Sequence, residues 1–255
     1  MALNLTINGK KITAEKGESL LNVARKNNIQ IPSLCHHPML EPYGACRLCL
    51  VEVTKGGRKK ITTSCNYEVL EGIEVRTDTP EVKKHRKMVL ELLLGQAPNA
   101  HRLQTLGKWN GIDKPLFPKI DPPGGRENCI LCGLCSRVCS EVVGANAITL
   151  SGRGFGKKVE IPFNEPTSDA CIGCGACTAV CHVDAIDMES VKVEELRKQP
   201  AHKRSCRYSL MGLMKGAMCG NNYECATCEV DQRFFEASYP EHPMYAARGH
   251  ITMNF

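Results

Sequence analysis

Apolar and polar residues alternate from the start of the chain: Leu3, Leu5 and Ile7 precede Asn8-Gly9, and Ile12 follows. Alternation with a period of two puts every second side chain on one buried face, and Asn-Gly between such runs favours a two-residue turn, so residues 3–14 are predicted as a β-hairpin. From Glu18 the period lengthens to that of a helix, with Leu20, Leu21, Val23 and Ala24, and an end near Asn27-Asn28. β-Rich runs follow at residues 50–54, 60–64 and 73–76. A helix is predicted over residues 80–94, where Thr79 suits the N-cap, Pro80 the first helical position and Gly95 a stop. Val82, Val89, Leu92 and Leu93 give it an apolar face for packing on a neighbouring domain. Residues 107–128 carry Gly111, Pro115, Pro118 and Pro122-Pro123-Gly124-Gly125, which predicts an ordered connector without long regular elements. Short strands are expected at 144–150 and 183–186, with an insert at 151–163 separating the two halves, and a helix is expected over 207–217.

Composition sharpens this picture. At 255 residues the chain has room for two or three small domains, yet only 5% of it is aromatic and 16 residues are cysteine. Metal–thiolate bonds that replace part of a hydrophobic core explain both facts. A disulfide scaffold fits less well. The start, Met-Ala-Leu-Asn-Leu-Thr-Ile, lacks the basic and apolar regions of a secretion signal, and cysteines three apart would compete within one loop. No stretch approaches the roughly 18 apolar residues of a membrane span. The expected setting is a reducing, cytoplasmic one, where cysteine clusters mean metal or catalysis. The net charge of +6 includes basic runs at Lys55 with Arg58, Lys59 and Lys60, and at Lys83, Lys84, His85, Arg86 and Lys87. They read as solvated faces or, failing that, as docking sites for an acidic partner subunit. Nucleic acid is not expected, because no stacking aromatics accompany the charge.

The chemistry centres on a repeated spacing. Cys129, Cys132, Cys135 and Cys139 are separated by two, two and three residues, as are Cys171, Cys174, Cys177 and Cys181. This duplicated run resembles that of bacterial-type ferredoxins, which wrap two 4Fe–4S cubanes. The resemblance implies crossed ligation: Cys129, Cys132, Cys135 and Cys181 at one cubane, and Cys171, Cys174, Cys177 and Cys139 at the other. Ser140 and His182 stand where such ferredoxins usually have proline. Between the runs, Gly152, Gly154 and Gly156 resemble a phosphate loop only superficially, since the Lys-Ser/Thr ending is missing.

Upstream, Cys35, Cys46, Cys49 and Cys65 are spaced by ten, two and fifteen residues within the hairpin–helix–strand pattern of a β-grasp fold, the fold of plant-type ferredoxins. The wider first gap, with His36-His37-Pro38 and Gly44-Ala45-Cys46, resembles the 2Fe–2S domain that opens the large hydrophilic subunit of respiratory complex I and the diaphorase small subunits of NAD-linked hydrogenases. Gly44 would let the backbone approach the cluster. Zinc also accepts four thiolates and stays an alternative on spacing alone. In those families a cluster held by one histidine and three cysteines follows the helix. Here no cysteine lies between Cys65 and Cys129, so that cluster is expected to be missing, and His85 and His101 read as surface or packing residues. A third group, Cys206, Cys219, Cys225 and Cys228, has gaps of twelve, five and two; it suits zinc or a further 4Fe–4S cluster, with zinc preferred because the tail otherwise reads as a docking extension.

Together these readings predict an α+β chain: a β-grasp 2Fe–2S ferredoxin-like domain (1–78), a helical and irregular connector (79–125), a bacterial-type 2×4Fe–4S ferredoxin-like domain (126–192) and a four-cysteine metal-binding extension (193–255). No Rossmann fingerprint, P-loop or nucleophile–base pair is recognisable, so no catalytic residue is assigned. Over about residues 1–190 the chain resembles the diaphorase small subunit of NAD(P)-linked and electron-bifurcating hydrogenases. The resemblance implies an electron relay between a partner subunit carrying FMN and NAD(P) and a catalytic, hydrogenase-like subunit or soluble ferredoxin. A stand-alone electron carrier and a redox-sensing metal protein are the alternatives.

Overall fold

The structure is a computed structural model that describes residues 2–119, 128–161, 168–211 and 213–238, the side chain of Phe235 aside. At the N-terminus β1 (Ala2–Ile7) and β2 (Lys10–Glu15) pair antiparallel, with Leu5 opposite Ile12. Asn8 and Gly9 turn the chain with φ of 50° and 81°, the two left-handed positions of a type I′ turn. The same device, at Gly56-Gly57, joins β3 (Leu50–Lys55) to β4 (Arg58–Thr63). With β5 (Glu74–Arg76) they form a sheet of order β2-β1-β5-β3-β4, in which only β1 and β5 run parallel. The helix α1 (Leu20–Lys26) is capped by Ser19, whose hydroxyl accepts the Asn22 N–H at 3.2 Å. It buries Leu20, Leu21, Val23 and Ala24 against Leu5, Ile7, Val51, Val53 and Val75. A mixed sheet gripping one helix is the predicted β-grasp arrangement.

The second helix, α2, spans Pro80–Gln96, and Thr79 caps it by accepting the Val82 N–H at 3.3 Å. It runs through Gly95 instead of stopping before it. A Cβ at Gly95 would lie 3.2 Å from both Phe117 Cβ and the Pro118 carbonyl, so this glycine serves close packing, not termination. The buried face is also rotated from the expected one. Val82, Leu90, Leu93 and Leu94 are inside, whereas Leu92 is 48% exposed. Within the basic run, Lys83, Lys84 and Lys87 are exposed and His85 lies 3.6 Å from Glu81. Arg86 is instead buried and donates to the Leu50 carbonyl. A helix that the sequence pattern did not predict, α3 (His101–Trp109), buries Leu103 and Leu106 and packs on α2. His101 itself is exposed.

Beyond the connector, α4 (Leu134–Arg137) widens into a π-helical turn at Val138–Val142, and β6 (Thr149–Ser151) pairs with β7 (Lys158–Glu160) around the tight turn at Gly154–Gly156. After α5 (Ala176–Ala179) comes α6 (Met188–Lys198). Two expected strands are corrected. Residues 144–148 and 183–186 are not strands, because each segment curls around a thiol: Ala147 donates to Cys139 Sγ and Ala185 to Cys181 Sγ, both at 3.2 Å. Asn146 and Asp184 adopt φ of 51° to make those curls. The insert between the two runs supplies β7, a strand that the sequence pattern did not predict; 162 and 163 lie outside the described residues.

In the tail the helix expected over 207–217 is also corrected: α7 covers only Arg207–Leu210. The chain folds back so that Cys206 N–H donates to the Ala217 carbonyl (2.8 Å) and Cys219 N–H to the Arg204 carbonyl (2.6 Å), which ends the helix after one turn. A last helix, α8 (Glu229–Ser238), follows the fourth tail cysteine. Among the described residues no helix is long and apolar enough to cross a membrane.

Candidate metal centres

Of the first four cysteines, Cys49 and Cys65 join the core between sheet and α1, and Cys35 and Cys46 join the apolar cluster under α2 and α3. Cys35, Cys46, Cys49 and Cys65 are each at most 4% exposed. They fall into two thiol pairs. The Cys46 thiol holds Cys35 down to about 6, and the Cys65 thiol holds Cys49 down to about 6; the partners Cys46 and Cys65 are pushed up by the same shared protons and by burial. Two adjoining thiol pairs are the donor set that two bridged irons require. Backbone N–H groups point at this sulfur, Leu34 to Cys46 and Cys46 to Cys35, both at 3.4 Å. Gly44 packs against the Asn66 amide, where a Cβ would come within 2.9 Å. Arg25, which the motifs did not single out, is half-buried beside the set, bonded to Ser33 at 2.7 Å and His36 Nδ1 at 3.1 Å. Its charge opposes the negative charge that four thiolates would gather there.

The two ferredoxin-like runs interleave. Cys139, from the first run, lines one apolar cavity together with Cys171, Cys174 and Cys177 from the second. Conversely, burial pushes Cys132 up, and Cys135, Cys181 and Cys129 add to the shift as neighbouring negative groups. Cys135 is pushed up to about 12 by burial, with Cys129 and Cys181 next among its neighbours. The turns that aim these thiols depend on Gly133 and Gly175, at φ of 76° and 77°, which open α4 and α5. A Cβ on Gly133 would press on the Tyr43 ring at 3.1 Å, and one on Gly175 would overlap the Glu189 carboxylate. After the fourth cysteines, Ser140 donates to the Arg137 carbonyl at 3.2 Å. His182 is held down to about 4 by burial and then by Arg102 and His37, so it stays neutral at pH 7.

The loop around Cys46 and the first ferredoxin-like run are locked together. Arg137, at 9% exposure, donates from Nε to Glu141 at 2.9 Å and from Nη2 to the Glu41 carbonyl, while the Glu41 N–H returns a bond to Glu141 at 3.0 Å. The same guanidinium lies 5.3 Å from the Tyr43 ring, and Lys157 Nζ reaches the Tyr43 hydroxyl at 3.1 Å. Beneath this clamp, Leu34, Cys35, Cys46 and Leu48 share one apolar cluster with α2, α3, Ile130 and Val183, and Cys132 and Cys181 pack against it. One core thus touches ligand candidates of both sites.

The tail cysteines also meet. Cys206, Cys219, Cys225 and Cys228 line a cavity of about 240 Å³ with Arg207, Tyr208, Tyr223 and Asp231. Tyr223 N–H donates to Cys219 Sγ at 3.2 Å, four residues on, the bond that Ala185 makes to Cys181. Tyr208 donates to Asp231 at 2.8 Å and stacks on Phe234 at 4.3 Å. Unlike the first set, these four thiols are only partly buried. Burial pushes Cys225 up to about 11, and Arg207 pulls it part of the way back.

The family model of the 2Fe-2S iron-sulfur cluster binding domain matches residues 1–80. Over 201 residues, 70% of this chain and 23% of the relative, the sequence is 32% identical to NADPH-Fe(3+) oxidoreductase subunit alpha of Geobacter sulfurreducens. It is 30% identical over 210 residues (72% and 36%) to NADP-reducing hydrogenase subunit HndD of Solidesulfovibrio fructosivorans. It is 31% identical over 179 residues (62% and 24%) to the mitochondrial NADH dehydrogenase (ubiquinone) iron-sulfur protein 1 of Solanum tuberosum. The chain therefore spans about a quarter to a third of the length of these curated relatives. A crystal structure of NAD+-reducing NiFe hydrogenase in the H2-reduced state superposes with a TM-score of 0.53 at 28% identity, covering 63% of this chain and 75% of that one. Residues 1–80 thus carry a 2Fe–2S ferredoxin-like domain, and the chain is similar over about two thirds of its length to subunits of NAD(P)-linked oxidoreductases and hydrogenases.

Proposed function

We propose that this chain is an electron-relay subunit of a multisubunit NAD(P)-linked oxidoreductase, of the diaphorase small-subunit type. Cys35, Cys46, Cys49 and Cys65 would hold a 2Fe–2S cluster. Cys129, Cys132, Cys135 and Cys181 would hold one 4Fe–4S cluster, and Cys171, Cys174, Cys177 and Cys139 the other. Each cluster supplies one-electron chemistry, while the chain's own residues hold the thiolates, exclude water and fix the spacing. Such clusters exchange electrons without binding substrate, because protein ligands fill their coordination positions. A flavin- and NAD(P)-binding subunit would sit at one end of the relay and a catalytic, hydrogenase-like subunit or soluble ferredoxin at the other.

The observation that carries this reading is the seating of Cys139 among the cysteines of the other run. A cysteine exchanged between two runs makes two cubanes close neighbours, as electron transfer between them needs. The clamp at Arg137 and the shared core extend the same logic to the 2Fe–2S site, which sits beside the first cubane set, with no cysteine between Cys65 and Cys129. Native anaerobic purification is expected to bring down a flavoprotein partner. The chain is expected to contain at least about 10 irons, all reducible on addition of NADH or NADPH to the complex. A content near two irons would remove both cubanes. A monomeric, partner-free native species would favour the stand-alone carrier.

A further inference from the structure

The tail site is where the expectation of zinc meets its hardest test. A zinc ion holds each thiolate at about 2.3 Å, which draws four sulfurs to within about 4 Å of one another. Among the described residues, which include all four tail cysteines, no three His, Cys, Asp or Glu side chains converge closely enough to hold a single ion. They instead line a cavity of about 240 Å³, against the roughly 10–15 Å³ that seats one water. The spacing itself, with one Cys-x-x-Cys turn at Cys225 and Cys228 and with Cys206 and Cys219 standing apart, suits either group.

A second observation concerns Arg207. It lines the tail cavity, is only 8% exposed, and ion-pairs through Nη1 with Glu189 at 3.3 Å. Its Nε–H is buried with no partner among the described residues. An orphaned, charged donor at such a cavity calls for an anionic occupant. Glu189 in turn lines the cavity of the second cubane set and abuts Gly175 beside Cys174. One ion pair therefore spans the wall between the two cavities.

We infer that Cys206, Cys219, Cys225 and Cys228 hold a polynuclear iron–sulfur cluster of the four-iron class, and that it exchanges electrons with the neighbouring cubane at Cys171–Cys177 across the Arg207–Glu189 pair. The second half rests on the relay reading above; the first stands without it. The step is a single electron passing from one reduced cluster to the oxidised other, with no bond made or broken and no proton released. Arg207 acts as a positioning and electrostatic residue: its charge favours the more negative, reduced state of both groups.

Metal analysis of the full chain in its anaerobically purified complex tests this directly. About 14 irons per chain and no stoichiometric zinc are expected. The Cys225→Ser/Cys228→Ser variant should lose about four of those irons and one paramagnetic signal, with the 2Fe–2S and two cubane signals kept. Arg207→Gln should lower the midpoint potentials of the tail cluster and the second cubane together, and Arg207→Lys should restore most of both shifts. About 10 irons with one zinc in the unsubstituted chain, the zinc alone lost in the double variant, would overturn the inference while leaving the relay intact. Potentials unmoved by Arg207→Gln would overturn the proposed path. Fewer than about 10 irons would instead count against the relay reading itself.

Discussion

Replacing Cys139 with alanine is expected to erase the cubane held by the other run, at Cys171, Cys174 and Cys177, and to spare the one beside it in sequence. The reason is geometric. Cys139 shares its cavity with those three thiols, and the Ala147 N–H bonded to its sulfur at 3.2 Å curls the chain to keep it there. A cubane deprived of one thiolate loses a ligand that also ties two segments together, so up to about four irons and the matching paramagnetic signal should go. Cys181→Ala is expected to produce the mirror result at Cys129, Cys132 and Cys135. Iron counts and low-temperature spectra of the two variants decide the matter: damage confined to the Cys129 set in Cys139→Ala would rule out crossed ligation.

The second large effect is expected at Arg137. Its side chain carries the bonds to Glu141 and to the Glu41 carbonyl and covers the Tyr43 ring, so Arg137→Ala strips partners from a partly buried carboxylate and a carbonyl at once. Breaking a fully buried pair costs roughly 3–5 kcal/mol; with Glu141 about a third exposed, a loss of about 2–4 kcal/mol is expected in denaturant unfolding of the complexed chain. Arg137→Lys keeps the charge but cannot fork between two acceptors, so it should recover only part of that loss. The functional readout is separate: after NAD(P)H addition, electron exchange between the 2Fe–2S and cubane signals should slow in Arg137→Ala. An unchanged unfolding midpoint and unchanged exchange would mean that the clamp is ornamental.

Local patterns made the first half of the fold legible. Asn8-Gly9 and the alternating leucines dictate one hairpin, Thr79-Pro80 dictates the start of α2, and the tail cysteines that stand close in sequence line one cavity; that Cys139 lies beside Cys171, Cys174 and Cys177 does not follow from spacing, which groups it with its own run. The misreadings share a cause: a residue's local preference was overruled by a distant partner. Gly95 looked like a stop but accommodates Phe117 and Pro118. Residues 183–186 looked like a strand, yet a thiol takes the Ala185 N–H that a strand would pair. The helix expected after Arg207 gives way to hydrogen bonds with the returning chain at Ala217. Arg137 and Glu41 are 96 residues apart, and Arg207 and Glu189 are 18 apart, so neither pair leaves a short-range signal. Arg137 and Arg207 are hidden among 33 basic residues, and only burial separates them from the solvated majority; Arg25, half-buried, is set apart by its bonds to Ser33 and His36.

The apolar cluster under Cys35 and Cys46 has a consequence for modularity. A β-grasp ferredoxin unit is usually thought of as a cartridge that can be cut out and carried elsewhere. Here Leu34 and Leu48, each at most 1% exposed, are covered by Leu90, Leu94, Leu103 and Ile130, all of which lie beyond residue 80. Severing the chain there would turn the floor of the 2Fe–2S pocket into a wet surface, since the side chains that seal it belong to the next segment. The cartridge has been soldered in: the apolar side chains that shelter Cys35 and Cys46 also pack against Cys132 and Cys181, so a disturbance of one set of thiols is expected to be felt in the other.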